Sequence, residues 1–202
     1  KKGYGYARLL DIVKPSPFRT APRCELARKC GGCQIQELKY SKQLEFKEKR
    51  VRDVLVRIGG FPEEEIQKVL HPIAGMEDPH RFRNKQQLPV GEKDGVPVAG
   101  FYAGHTHCIV PVSDCMVGAE ENQKITATVL DWMKRYQVPA YREESGEGLV
   151  RHILIRGGVY SREIMVCLVV NGTKLPHEEE LVEELSVLPD MASISLNTNT
   201  AR

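Results

Sequence analysis

The stretch Gln86-Gln-Leu-Pro-Val-Gly-Glu-Lys-Asp-Gly-Val-Pro-Val-Ala-Gly-Phe-Tyr102 decides the fold. Two β-type runs, Gln86 to Val90 and Val96 to Tyr102, flank Gly91-Glu92-Lys93-Asp94-Gly95. A turn of that composition between two such runs predicts an antiparallel hairpin. Further β-type runs follow outward from it, at Cys108 to Val112, Leu149 to Arg156, Glu163 to Val170 and Ala192 to Asn197. A helix is predicted over residues 119–137, where Ile125, Val129, Trp132, Met133 and Tyr136 share one face. Another is predicted from Pro176 at its first turn to Leu188, with Glu178, Glu179 and Glu180 near its N-terminus. The expectation is an α+β fold, a largely antiparallel sheet with flanking helices and a Cys-rich loop on its N-terminal side.

Before the hairpin, residues 4–14 read as a strand, ended by Pro15, Pro17 and Pro22. Residues 24–36 form a tight Cys- and Gly-rich loop. Ser41 is placed to cap a helix over 41–58, stopped by Gly59-Gly60. Its Leu44, Val51, Leu55 and Ile58 fall on one face, and Glu45–Lys49, Glu48–Arg52 and Asp53–Arg57 are i,i+4 pairs. Residues 61–83 read as a loop with one short helical or strand piece.

The chain has 202 residues, 41% hydrophobic and 28% charged, with a net charge of +2. That is a soluble globular composition, neither disordered nor disulfide-dense. No apolar run is long enough to span a bilayer, so no membrane partner is expected. The start carries no hydrophobic signal segment, which fits a cytoplasmic protein. The charge is uneven: residues 1–60 hold 15 Lys+Arg and 6 Asp+Glu, and the remainder holds 14 and 21. A basic first third points to a polyanionic partner, although basic helix faces are often only solvated. With no initiator Met and a start that reads as mid-strand, the chain is expected to be part of a longer protein.

Cys24, Cys30 and Cys33 have the spacing C-x5-C-x2-C, with Gly31-Gly32 between the last two. Two glycines let the backbone wrap so that thiolates converge on one centre. Three ligands from one loop call for a fourth. Cys167 lies in an apolar strand and reads as core, and Cys108 heads another. Cys115 sits in a loop between strand and helix, so it is the favoured fourth ligand. All-Cys ligation suits an iron–sulfur cluster or structural zinc. One C-x2-C with a lone remote Cys fits a cluster better than a zinc ribbon.

The run Cys24-Glu-Leu-Ala-Arg-Lys-Cys30-Gly-Gly-Cys33-Gln-Ile-Gln36 and the helix after it resemble the iron–sulfur RNA uracil-C5 methyltransferases (the RumA, RlmD and RlmCD types, related to TrmA). The likeness continues through Arg81 to Val90, Ala99 to Tyr102, Asp114-Cys115, Leu149 to Arg156 and Ser193 to Asn199. Gly3 to Val13 resembles the last strand of the small RNA-binding TRAM barrel that precedes the cluster in that family. The resemblance implies a [4Fe–4S] cluster on Cys24, Cys30, Cys33 and Cys115. It implies a domain organisation of a barrel remnant over 1–22 and a cluster and RNA-binding domain over 23–202. Helix 41–58 is expected to pack on a methyltransferase domain that this sequence lacks. That domain, in the parent enzyme, binds S-adenosylmethionine and supplies the nucleophilic Cys and the base. No Gly-rich cofactor loop and no Pro-rich catalytic Cys motif occur here, so this span is expected to be catalytically incompetent alone.

RNA contact is assigned to Arg81, Arg83, Asn84, Lys85 and Gln87, a dense polar run before a strand. Arg and Lys suit phosphates, and Asn84 and Gln87 suit base edges. The bland alternative is a solvated loop with internal salt bridges. Arg151, His152 and Arg156 join the set, His152 and Arg156 sharing a strand face. A His152 bonded to backbone is an equal reading. Tyr4, Tyr6, Lys1, Lys2 and Arg8 are a further candidate edge for RNA, or stranded barrel core. The basic residues of helix 41–58 read as a solvated or interdomain face, and Arg23, Arg28 and Lys29 flank the cluster loop, free to steady an anionic cluster or meet RNA.

The reading is the cluster-bearing, RNA-recognising part of an S-adenosylmethionine-dependent 23S rRNA uracil-C5 methyltransferase, with structured RNA as partner and a monomer as the default state. The alternatives are a zinc-stabilised nucleic-acid-binding module without enzymatic activity and an electron-transfer iron–sulfur protein.

Overall fold

The computed structural model describes residues 3–5, 7 and 9–201. The chain divides into two compact units, residues 1–22 with 35–76, and residues 23–34 with 77–202. The cysteine loop therefore belongs to the same unit as the sheet.

The first unit holds α1 (Tyr40–Arg57) and α2 (Glu63–Val69). The α1 helix begins one residue before Ser41, with Lys39 at the cap position and no side chain capping it. Ser41 is thus inside the helix, and the Gln43 side-chain amide ties the first turn to the preceding chain by donating to the Leu38 carbonyl at 2.8 Å. The salt links also differ in part from the expected i,i+4 set. Lys42 takes Glu45 at 2.6 Å and Lys49 takes Asp53 at 3.4 Å, while Glu48 and Arg52 meet only at 4.0 Å. Two α1 side chains hold the loop after α2: Glu48 accepts the Ile73 N–H at 2.9 Å, and the Tyr40 hydroxyl accepts the Met76 N–H at 2.8 Å. No α1 residue is fully buried. Of the expected apolar face, Leu44 and Leu55 are half-buried, whereas Val51 and Ile58 are exposed.

The strand expected over 4–14 does not form among the described residues. A strand exists only as a member of a ladder, and among the described residues this stretch pairs with no neighbouring strand. Leu9, Leu10 and Val13 are left 74%, 88% and 96% exposed. Lys1, Lys2, Tyr6 and Arg8, offered as part of an RNA-facing edge, lie outside the described residues, and Tyr4 is about half exposed.

The second unit is built on a six-stranded sheet. Its strands are β1 (Lys85–Lys93), β2 (Val96–Tyr102), β3 (Ile109–Pro111), β4 (Val150–Gly157), β5 (Ile164–Val170) and β6 (Met191–Thr198), in the order β3-β2-β1-β4-β5-β6. The predicted hairpin is β1–β2, with Lys93 opposite Val96 and Asp94-Gly95 turning at positive φ. All pairs are antiparallel except β5–β6, which is parallel. A parallel pair needs a crossover, and α4 (Glu178–Ser186) supplies it. The other helix of this unit is α3 (Glu121–Arg135).

Alternation along the strands sorts the sheet into two faces. Leu88, Val90, Ile153, Ile155, Val166 and Leu168 point to the core and pack with Ile125, Val129, Trp132 and Met133 of α3 and Leu181 and Leu185 of α4. Each such side chain contributes roughly 1.5–3 kcal/mol when fully buried. Trp132 is wholly enclosed, and its indole N–H donates to the His177 carbonyl at 2.9 Å, which anchors the start of α4. The helix starts two residues after Pro176, expected at its first turn, with His177 at the cap position in a left-handed conformation at φ 53°.

Candidate functional site

Strand register decides which predicted residues meet. On the face away from the helices Lys85 stands opposite Arg156, Gln87 opposite Leu154, and Pro89 opposite His152. Across the next strand Arg156 faces Met165, and Met165 faces Ser193. Directly opposed residues share a face, so Lys85, Gln87, His152 and Arg156 share one. Lys85, Gln87, Arg156 and Ser193 are exposed there, and His152 is half-buried. The Lys85 and Arg156 side chains have no ion-pair partner among the described residues.

Burial pushes the His152 pKa below the ordinary value, the Arg151 guanidinium adds to that, and Glu143 opposes it. Its Nδ1 is sealed from solvent without a hydrogen-bond partner, so the backbone bond considered for it is not made at that atom. Glu143 also ties together Tyr102, whose hydroxyl lies at 3.4 Å, and His107, whose Nδ1 lies at 2.5 Å. The Tyr102 and His107 rings stack, 5.2 Å between centroids. Sequence reasoning missed this trio because Glu143 lies 36 residues beyond His107 in sequence.

Two of the arginines assigned to RNA are spent inside the protein. Arg81 binds the Asp114 carboxylate through Nη1 at 2.6 Å and Nη2 at 2.8 Å. Its Nη1 also donates to the carbonyls of Cys115 at 2.9 Å and Gly118 at 3.2 Å. Arg151 donates to the carbonyls of Asn199 at 2.8 Å and Ala201 at 2.6 Å, with its guanidinium over the Tyr141 ring. A guanidinium engaged by carboxylate or carbonyl oxygens has fewer donors left for phosphate. Arg83 and Asn84, by contrast, are exposed, and their side chains have no partner among the described residues.

The cysteine loop is a series of turns. Lys29 and Cys30 N–H both donate to the Leu26 carbonyl, at 2.9 and 2.8 Å. The Gly31 N–H donates to the Tyr102 carbonyl at 2.9 Å, stitching the loop to the end of β2. A Cβ at Gly31 would come within 2.9 Å of that carbonyl, so the close approach requires glycine. Cys24, Cys30, Cys33 and Cys115 are free and half-buried, Cys167 is buried and Cys108 exposed. Burial raises the Cys30 pKa, and the charges of Cys33, Cys115 and Cys24 raise it further, against the Gly32 N–H that bonds its sulfur. The four thiols therefore share one neighbourhood, and their all-sulfur donor set suits a cluster or zinc. Among the described residues, no group of three or more His, Cys, Asp or Glu side chains is drawn together closely enough to hold a metal ion. No described helix is long and apolar enough to cross a membrane.

No family model matches the chain. A protein of Halalkalibacterium halodurans named "uncharacterized RNA methyltransferase" is 40% identical over 203 residues, covering 100% of this chain and 43% of the relative. One of the same name from Clostridium tetani is 40% identical over 202 residues, with 100% and 43% covered. The chain thus spans less than half the length of these relatives. A solved structure, the Pyrococcus abyssi tRNA (uracil-54, C5)-methyltransferase in complex with S-adenosyl-L-homocysteine, superposes with a TM-score of 0.69 at 23% identity, covering 95% of this chain and 40% of that one. The chain therefore shares the fold of a segment of that enzyme, and over its whole length it is a homologue of one part of bacterial proteins that bear the name RNA methyltransferase.

Proposed function

We propose that the chain is the RNA-recognising, cluster-bearing part of an S-adenosylmethionine-dependent RNA uracil-C5 methyltransferase acting on 23S rRNA in the cytoplasm. The observation that carries this reading is the similarity, from end to end, to proteins named RNA methyltransferases. The exposed face with Lys85, Gln87 and Arg156 supports RNA contact, since unpaired cations and an amide beside them suit phosphates and base edges. Residues 1–22 are read as the end of a preceding barrel and residues 23–202 as the central domain. Methyl transfer belongs to a further domain that binds S-adenosylmethionine, so this span alone transfers none.

Cys24, Cys30, Cys33 and Cys115 are read as the ligands of a [4Fe–4S] cluster. When bound, such a cluster supplies a rigid anionic crosslink between the loop and the turn at Cys115. The residues of this chain supply the rest: Gly31 brings the loop against β2, and Arg81 holds the Cys115 turn.

The test is anaerobic purification of the 202-residue chain, with iron, sulfide and zinc analysis, then binding of 23S rRNA segments and tRNA. About four iron and four sulfide per chain are expected for one cluster, with tighter binding to an rRNA segment. One zinc per chain without iron would establish the zinc module instead. Preference for tRNA would overturn the rRNA assignment, and methyl transfer by this chain would overturn its catalytic incompetence.

A further inference from the structure

The turn between β4 and β5 carries apolar side chains where a folded chain ordinarily hides them. Tyr160 is fully exposed, its neighbour Val159 is 74% exposed, and Phe82, which lines the same concavity as Val159, is 50% exposed. Scattered exposed apolar residues need no explanation, but a group on one rim does. Two concavities flank the turn, of about 190 and 610 Å³, and both are lined by Asn84, Gly157 and Gly158.

The turn is ordered by its own hydrogen bonds. The Gly158 N–H donates to the Glu163 carbonyl and the Arg162 N–H to the Gly158 carbonyl, both at 2.9 Å. The Gly157 N–H donates to the Asn84 carbonyl at 2.9 Å, which ties the turn to the segment entering β1. Tyr160 is thus presented from a fixed base.

The concavities beside the turn carry cations. Arg83, Lys85, Arg156 and Arg162 line the two concavities, and none has a side-chain partner among the described residues. Arg81 also lines the smaller concavity but is paired with Asp114, and Arg19, Arg52, Arg135 and Arg142 elsewhere have carboxylate partners as well. Glu121 and Asp190 line the smaller concavity and Glu163 the larger, yet none of them pairs with the four cations. An exposed aromatic ring on a turn flanked by unpaired cations matches a polyanion whose bases offer flat faces. A protein partner would use the ring but has no need of four free cations.

We infer that Tyr160 is a stacking platform for an unpaired nucleotide of the RNA, with Arg83, Lys85, Arg156 and Arg162 holding the flanking phosphates. This rests on the proposed RNA-binding function and specifies an unstacked base as what the site takes, since a base inside a duplex has no free face.

The test compares a fluorescent RNA stem-loop with an unpaired loop and a fully paired RNA of equal length, by anisotropy, against the 202-residue chain. Tyr160→Ala is expected to weaken stem-loop binding about tenfold, in line with loss of one base–aromatic stack, and to leave the paired RNA unchanged. Tyr160→Phe is expected to bind as the parent does, because the ring stacks and the hydroxyl does not. Arg162→Ala is expected to reduce the salt dependence by about one ion with either RNA. Unchanged stem-loop binding by Tyr160→Ala, or an equal loss with both RNAs, overturns the stacking role while RNA binding stands. If the parent chain binds neither RNA, the proposed function itself falls, and this inference with it.

Discussion

Arg81 grips Asp114 at both ends of its guanidinium, Nη1 to Oδ1 at 2.6 Å and Nη2 to Oδ2 at 2.8 Å, across 33 residues of sequence. The hydrogen bonds from Arg81 hold the Asp114 carboxyl below the usual carboxylate range. A carboxyl with a lowered folded pKa adds stability above its unfolded pKa and loses it as the pH falls through the folded one. Asp114→Asn is expected to cost about 1–2 kcal/mol at neutral pH, the partial exposure of the pair keeping it modest. The loss shrinks toward acid pH, and urea unfolding at pH 7 and pH 3 checks both statements.

Cys115 and Cys108 provide a paired test of the ligand assignment. Cys115→Ser is expected to lower iron content and thermal midpoint together, because cluster binding adds to folding free energy. Cys108→Ser, at an exposed position, is expected to leave both unchanged. Iron analysis with thermal melts reads the pair, and the reverse pattern would move the fourth ligand to Cys108.

The His152 ring should charge at lower pH than an exposed histidine does, because burial disfavours its cation. The unfolded chain then binds a proton that the folded chain refuses, so stability falls as the pH drops below about 6.5, the ordinary histidine value. His152→Gln removes that part of the slope. Titration of the His152 ring resonances by NMR, with and without Glu143→Gln, checks the direction. Loss of Glu143 should lower the His152 pKa further.

Lys85 and Arg156, opposed across β1 and β4, should act on RNA as point charges. The double variant Lys85→Ala/Arg156→Ala is expected to weaken binding at low salt and to lower the slope of log affinity against log salt by about two. Thermal stability should hardly change, since neither side chain has a partner to lose. A variant with an unchanged salt slope would remove this face from the RNA interface.

Trp132 closes the core between sheet and helices, so Trp132→Ala is expected to cost about 3–5 kcal/mol. Chemical denaturation measures it directly.

Much of the sheet unit was legible because its signals are local. The β1–β2 hairpin follows from its turn, and α3 from an apolar period that Trp132 and Met133 complete. The parallel pairing of β6 was not legible, since it depends on α4 folding back over the sheet. The N-terminal strand failed for the same reason in reverse: residues 4–14 have strand composition, but a ladder needs a neighbour. Among the candidate residues, the register brought Lys85, Gln87, His152 and Arg156 to one face as alternation predicts. Arg81 and Arg151 carry the same composition signal, but their oxygen partners lie 33 to 50 residues away in sequence. No local pattern distinguishes a spent guanidinium from a free one.

The segment that enters β1 runs alongside the Cys115 turn, the Arg81 and Arg83 N–H groups donating to the carbonyls of Met116 and Val117 at 3.0 and 2.9 Å. Lys85 follows two residues later. The turn at Cys115 is therefore a splint for the strand that bears the exposed cations. Any displacement of that turn carries to the entry of β1, two residues before Lys85, through these two backbone bonds.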